Sequence, residues 1–214
     1  MARVSVAGIV VAAGSGTRFG AAKQFAVLGG ERLVDIAVGA AGRHCDEVVV
    51  VLPPDLVWDG APVAAAVAGG AHRSDSVRAG LSAIATDSDI VVVHDAARPL
   101  ASSRLFDAVI RAVRDGADGA VPGLPVTDTI KRVEGDRIVE TVDRSALVAV
   151  QTPQAFRAAA LRRAHAAGAD ATDDAALVES VGGAVVVVPG ESTNLKITNE
   201  RDLIVAASLL AEAR

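Results

Sequence analysis

Two short runs limit the folds open to this chain. Val48-Val49-Val50-Val51-Leu52 and Ile90-Val91-Val92-Val93-His94 are almost unbroken apolar stretches, rich in β-branched residues and too short for core helices. Strands that read this way are buried on both faces, which happens in parallel sheets covered by helices. Helical patterns separate the runs. Glu31 to Arg43 and Arg73 to Ala85 have helical periodicity, and Ser102 and Ser103 are N-cap candidates for a helix presenting Leu105, Phe106, Val109, Ile110 and Val113 on one face. Ile9 to Ala12 and Ala120 to Pro122 are further strand candidates. The β-α-β-α alternation predicts an α/β fold with a doubly wound, mostly parallel, Rossmann-like sheet. Ligands of such sheets sit beyond the carboxyl ends of the strands.

The rhythm breaks in the middle. Thr129 to Val133, Gly135-Asp136 and Ile138 to Val142 read as a β-hairpin with few bulky apolar residues. It is expected to pack on something else, such as a second subunit. Beyond it, Phe156 to Ala167 and Thr172 to Val181 look helical, Ala184 to Val188 is a strand, and Asn199 to Ala213 is a closing helix with Asn199 as N-cap. With no linker in view, residues 1–214 read as one domain, with 127–150 as a protruding arm.

Hydrophobic residues make up 51% of the chain, but much of this is Ala and Val, and no apolar run reaches the roughly 18 residues that span a bilayer. Net charge is −5 with dispersed basic residues, so neither nucleic acid nor membrane is an expected partner. The single cysteine, Cys45, forbids an intrachain disulfide and fits a cytoplasmic protein. Beside His44 it reads as a small apolar residue at a helix end. Met1-Ala2-Arg3 followed by Val4 to Ala13 imitates a signal peptide, but Ser5 and Gly8 interrupt it, and a first strand is the better reading.

Three segments carry chemistry. Ala12-Ala13-Gly14-Ser15-Gly16-Thr17-Arg18-Phe19-Gly20, ending at Lys23, directly follows the first strand. Its glycines let several N–H groups converge on an anion, and Arg18 and Lys23 add positive charge. It is not a Walker A loop, since no Gly-Lys-Ser/Thr follows, and the Gly14-x-Gly16-x-x-Phe19-Gly20 string is one residue off the dinucleotide fingerprint. Alone, the string is weak, and a surface turn is its lesser alternative. His94-Asp95-Ala96-Ala97-Arg98-Pro99 closes a strand, where an Asp suits Mg²⁺ shared with phosphates, Arg98 suits a second phosphate, and His94 reads as structural. Gly69-Gly70-Ala71-His72-Arg73-Ser74-Asp75-Ser76 lets a backbone approach closely ahead of a helix, with Ser74 or Asp75 as a cap and Ser76 facing the cleft.

These strings, with Lys23-Gln24, Asp75-Ser76-Val77, Asp128-Thr129-Ile130-Lys131, Gln151-Thr152-Pro153-Gln154, Thr172-Asp173-Asp174 and Asn194-Leu195-Lys196, occur in the order seen in a known family. From Ile9 to about Leu203 the chain resembles the 2-C-methyl-D-erythritol 4-phosphate cytidylyltransferases of the non-mevalonate isoprenoid pathway. The resemblance implies a nucleotidyltransferase fold and transfer of CMP from CTP to 2-C-methyl-D-erythritol 4-phosphate, with pyrophosphate released and Mg²⁺ as cofactor. It implies catalytic roles for Arg18, Lys23, Asp95 and Lys196, with Asp95 also at the metal. It implies CTP contacts at Ala12, Ala13, Gly14, Ser15, Gly16, Thr17, Gly69, Gly70, Ser76 and Ala96. It implies an acceptor site of Asp95, Arg98, Thr129, Thr152 and Thr172, completed by Arg144 from the arm of a homodimer partner.

Three positions depart from the pattern of the family. Ala71 and Thr193 stand where acidic residues are usual, and Ala22 where proline precedes the lysine. A nucleotide sensor without turnover is the alternative that Ala71 and Thr193 leave, and ribitol 5-phosphate, the acceptor of a close relative sharing the CTP site, is the other. A dinucleotide-dependent dehydrogenase fits worse, because no acidic residue follows a second strand at the place a ribose needs.

Overall fold

The valine-rich runs form the middle of the sheet. The computed structural model describes residues 3–14, 23–168 and 170–212. The chain runs through β1 (Val6–Val11), a small antiparallel pair of β2 (Val27–Leu28) and β3 (Glu31–Arg32), α1 (Leu33–Gly42), β4 (Glu47–Leu52), β5 (Ala65–Ala68), α2 (Arg73–Ala83), β6 (Ile90–Asp95) and α3 (Ser103–Arg114). It continues with β7 (Gly119–Pro125), the hairpin of β8 (Ile130–Glu134) and β9 (Arg137–Val142), β10 (Val148–Val150), β11 (Gln154–Arg157), α4 (Ala158–Ala166), α5 (Asp174–Ser180), β12 (Val185–Pro189) and α6 (Glu200–Glu212).

The main sheet has the order β10-β7-β11-β6-β1-β4-β5, with β12 on the other edge of β7. Strands β1, β4, β5 and β6 pair in parallel, as does β12 with β7, whereas β10 and β11 run antiparallel to their neighbours. Successive residues of the central strands go to opposite faces. Val6, Val10, Val48, Val50 and Val92 pack on α1 and α3, while Ala7, Ile9, Val49, Val51 and Val93 pack on α2, α4 and α5. The doubly wound reading therefore holds. Strand β1 is the switch point, with β4 on one side and β6 on the other, and a cleft opens beyond it.

Four details differ from the sequence reading. Phe156 does not begin a helix. It lies in β11, fully buried between β6 and β7, and the helix starts at Ala158. Gly119 makes this slot possible, because a Cβ there would lie 2.6 Å from the Phe156 ring. The edge strand β5 is Ala-Ala-Val-Ala, whose weak β propensity hid it; pairing with β4 makes it a strand. Thr172 precedes α5, whose N-cap is Asp173, with its carboxylate accepting from the Ala176 N–H at 3.0 Å. Helix α1 begins at Leu33, after β3.

The hairpin, the Ser102 cap and the Asn199 cap form as expected. Gly135 turns the hairpin at φ +63°, Ser102 accepts from the Leu105 N–H at 3.3 Å, and Asn199 from the Asp202 N–H at 3.1 Å. Cys45 is half-buried beside Gly8, and burial pushes its thiol up to about 12, so it is unreactive at neutral pH.

Candidate active site

Three backbone hydrogen bonds carry strand pairing past the strand ends. Ala12 N–H donates to the Val51 carbonyl at 2.8 Å, Ala96 N–H to Val11 at 3.0 Å, and Gly69 N–H to Leu52 at 2.8 Å. Ala12–Gly14, Gly69–Gly70 and Asp95–Ala97 therefore arrive side by side. The cleft between them, about 390 Å³, is also lined by Lys23, Ser76 and Lys196.

The glycine pair is required by close approach. A Cβ on Gly69 would sit 2.3 Å from Ala13 Cβ and 2.7 Å from Ser76 Oγ, and one on Gly70 would sit 2.2 Å from Asp75 Cβ. The cap expected at Ser74 or Asp75 falls differently. His72 occupies the N-cap position, and Asp75, three residues on, accepts from the His72 N–H at 3.0 Å. Ser76 Oγ is buried, donates to the His72 carbonyl at 3.2 Å and accepts from the Gly70 N–H at 3.3 Å.

Asp95 is the electrostatic centre. One carboxylate oxygen accepts from Lys196 Nζ at 2.7 Å and the other from Arg73 Nε at 3.4 Å. Burial alone would push this carboxyl up, but the two cations outweigh it and hold the group well below the ordinary carboxylate range. Asp95 is thus ionised at neutral pH. Its backbone N–H donates to Thr152 Oγ1 at 3.0 Å, and Thr152 Oγ1 also meets His94 Nδ1 at 3.1 Å. Burial pushes His94 down to about 4, so its imidazole is neutral and structural.

Lys196 is delivered by a strip folded across the end of β6. Arg98 donates to the Asn194 carbonyl at 2.7 Å, and Asn194 Nδ2 donates to the Thr152 carbonyl at 2.9 Å. Lys23 Nζ donates to the Ile197 carbonyl at 3.2 Å, which ties the loop after β1 to the same strip.

Of the residues singled out from the sequence, Ala12, Ala13, Gly14, Lys23, Gly70, Ser76, Asp95, Ala96 and Lys196 line this one cleft, and Gly69 adjoins it. Thr152 is buried against Asp95. Thr129 and Thr172 are exposed, and Arg144, also exposed, donates to the Thr127 carbonyl at the root of its own arm. Arg18, Ser15, Gly16 and Thr17 lie outside the described residues.

Sequence reasoning passed over Arg73 and Asp174. Arg73 bridges Asp95 and the fully buried Asp174, whose Oδ2 accepts from Arg73 Nη1 at 2.7 Å. Burial disfavours the Arg73 cation, but Asp174 and Asp95 more than compensate and raise its pKa. One signal was present. Arg73 is the first residue of α2, where the helix dipole disfavours a cation. A cation there implies a nearby anion.

Residues 6–212 match the family model described as IspD, 2-C-methyl-D-erythritol 4-phosphate cytidylyltransferase. The chain belongs to this family. The cytidylyltransferase of that name from Streptomyces coelicolor is 44% identical, over 97% of this chain and 86% of its own length. That of Rubrobacter xylanophilus is 41% identical, over 95% and 94%. The bifunctional IspD/IspF enzyme of Clavibacter michiganensis is 48% identical over 95% of this chain but only 54% of its own, so the chain spans about half the length of such relatives. The crystal structure of the cytidylyltransferase from Thermus thermophilus superposes with a TM-score of 0.83 at 38% identity, covering 95% of this chain and 98% of that one. The mixed, mostly parallel sheet with its helices is the α/β nucleotidyltransferase-like architecture of this family.

Proposed function

We propose that this member of the cytidylyltransferase family transfers CMP from CTP to 2-C-methyl-D-erythritol 4-phosphate and releases pyrophosphate. The observation that carries the reading is the Lys196–Asp95 pair, 2.7 Å apart, at the mouth of a cleft walled by the loop after β1 and the glycine pair. An oxygen of the acceptor phosphate attacks the α-phosphorus and forms a new P–O bond. The bond from the α-phosphorus to the bridging oxygen breaks, and pyrophosphate leaves with its electron pair. No enzyme nucleophile is needed, so catalysis is positioning and charge stabilisation.

In this reading Ala12–Gly14, Gly69, Gly70 and Ser76 form the pocket for the base and ribose, joined by Ala96, and the resemblance to the family adds CTP contacts at Ser15, Gly16 and Thr17. The interval between Gly69 and Ala13 is narrow, which favours a pyrimidine. Lys23 and Arg18 meet the triphosphate, and Lys196 meets the α-phosphate from the opposite wall. Asp95 would hold the Mg²⁺. It is ionised, and among the described residues no three His, Cys, Asp or Glu groups converge on a metal. A nucleotide-borne Mg²⁺ needs no more than a carboxylate or two beside the phosphates. When bound, the metal neutralises phosphate charge. Arg98, Thr129, Thr152 and Thr172 belong to the acceptor side.

The arm suggests a homodimer. Val133, Ile138 and Val139 of the hairpin are exposed, as are Val148 and Val187 on either side of β7, and an arm reaching a partner would bring Arg144 to the acceptor of the neighbouring site. Among the described residues no helix is long and apolar enough to cross a membrane. With a single, half-buried cysteine, the cytoplasm is the compartment we assign.

Pyrophosphate release on mixing the protein with CTP, Mg²⁺ and methylerythritol phosphate tests the reading. A folded protein that turns over ribitol 5-phosphate instead, or neither acceptor, would refute it. Sedimentation at micromolar concentration tests the dimer; a monomer would refute the shared acceptor site.

A further inference from the structure

From Asp95 and Arg73, which line the cleft, a chain of charges runs inward to Asp174 and His165, and substrate contact alone does not explain it. Asp174, the first residue of α5, is completely buried. Its Oδ1 faces His165 Nε2 of α4 at 2.9 Å, and its Oδ2 accepts from Arg73 Nη1 of α2 at 2.7 Å. Arg73 Nε then reaches Asp95 Oδ1 at 3.4 Å. Three helices and the end of β6 are thus tied through one guanidinium.

The two cations on Asp95 are held differently. The Lys196 side chain is 43% exposed, whereas that of Arg73 is 23% exposed and anchored from behind. An incoming triphosphate competes with Asp95 for both. Lys196 can turn toward phosphate. Arg73 cannot leave without stranding Asp174, a buried anion whose one remaining partner among the described residues would be His165, and an under-paired buried charge is strongly disfavoured.

We propose that Asp174 is a positioning residue, which through Arg73 fixes the Asp95 carboxylate for its work on the nucleotide. Arg73 is the permanent counter-ion of Asp95, and Lys196 the exchangeable one. Arginine suits this place because its planar fork reaches two carboxylates at once, which an ammonium on a shorter stem does not. The two carboxylates on Arg73 also explain why an apolar residue would not serve: it would leave Asp174 with His165 alone and Asp95 held by the exposed Lys196. The inference rests on the reading of Asp95 as the residue at the nucleotide-borne Mg²⁺.

The test uses the full chain and the variants Asp174→Asn and Arg73→Lys, each singly and together. Calorimetry of CTP binding with and without Mg²⁺ is read beside turnover and thermal unfolding. In both single variants the Mg²⁺-dependent gain in CTP affinity should fall at least fivefold, the metal-free affinity should stay within twofold, and kcat should fall at least tenfold. The double variant should be no worse than the weaker single one, because both changes cut the same connection. A merely structural role would lower the unfolding temperature and leave the Mg²⁺-dependent gain intact, and that result overturns the proposal. So do losses that multiply in the double variant, or unfolding of both single variants. A wild-type protein that binds CTP with Mg²⁺ but turns over no acceptor would sink the proposed reaction while leaving this test in force.

Discussion

The Ile197 backbone N–H donates to the Ala97 carbonyl at 2.8 Å. That bond fastens the strip 194–197 across the end of β6 and sets Lys196 against Asp95. Asn194 is the other fastening, buried with its amide on the Thr152 carbonyl and Gln151 Oε1. Replacing Asn194 by Ala leaves the Thr152 carbonyl without this donor and should lower stability by about 1–3 kcal/mol. The same change should reduce kcat, since Lys196 loses its fixed approach. Denaturant unfolding and initial rates on one preparation check both, and a variant unchanged in each would show that the strip holds itself.

Gly69→Ala should weaken CTP binding more than acceptor binding. The added methyl would lie 2.3 Å from Ala13 Cβ, so the loop after β1 and the start of α2 must separate. Overpacking of this kind destabilises by about 1–3 kcal/mol. A rise in KM for CTP of severalfold, with KM for the acceptor little altered, is the expected pattern. An equal rise in both would place the glycine pair away from the nucleotide.

Lys23→Ala should fold normally and lose turnover by roughly 100- to 1000-fold, the usual effect of removing one donor to a developing negative charge. Its contact with the Ile197 carbonyl is a partly buried hydrogen bond, an interaction worth about 1 kcal/mol, so the loss of stability should be small beside the loss of rate. A kcat near that of the wild type would remove Lys23 from the catalytic set.

Acid stability should report His94. Its folded pKa, depressed by burial to about 4, lies below the unfolded value of about 6.5. The unfolded chain therefore binds the proton first. The stability due to a neutral His94 is full above pH 6.5 and is lost progressively as pH falls toward 4. Over that window the loss is roughly 3 kcal/mol at 1.36 kcal/mol per pKa unit. His94→Gln, which can still meet Thr152, should flatten the fall in unfolding free energy between pH 6.5 and 4. An unchanged slope would assign the acid sensitivity elsewhere.

Arg144→Ala should raise KM for the acceptor but not for CTP. If the arm crosses to a partner, mixed dimers of Arg144→Ala and Lys23→Ala chains should recover about one intact site, because one chain supplies the good arm and the other the good cleft. Mixtures no more active than the Arg144→Ala chain alone would show that each arm serves its own subunit.

The parts of this protein that were legible in its sequence are those where local pattern and tertiary role agree. The Val48 and Ile90 runs can only be buried strands, and Asp95 ends one of them, so the site follows from the sheet. Phe156 was misread because its neighbours favour helix while a slot between β6 and β7, opened by Gly119, makes it strand. Strand β5 was missed because four small residues carry no strand pattern until β4 lies beside them. Arg73 and Asp174 were overlooked for another reason. They lie 101 residues apart, and although a cation at the first position of α2 implies an anion nearby, neither segment says which carboxylate meets it.

Strand β11 has a consequence for the order in which the molecule can be built. It is the wedge between β6 and β7, so the half of the sheet containing β1, β4, β5 and β6 can pair early, while the half around β7 joins it only after residue 157 has been synthesised. Asp95 is made in the first half, but Thr152, Asp174 and Lys196 all come from the later chain. On a ribosome the site is therefore completed last, and a nascent chain stalled before β11 would hold half a sheet and no working centre.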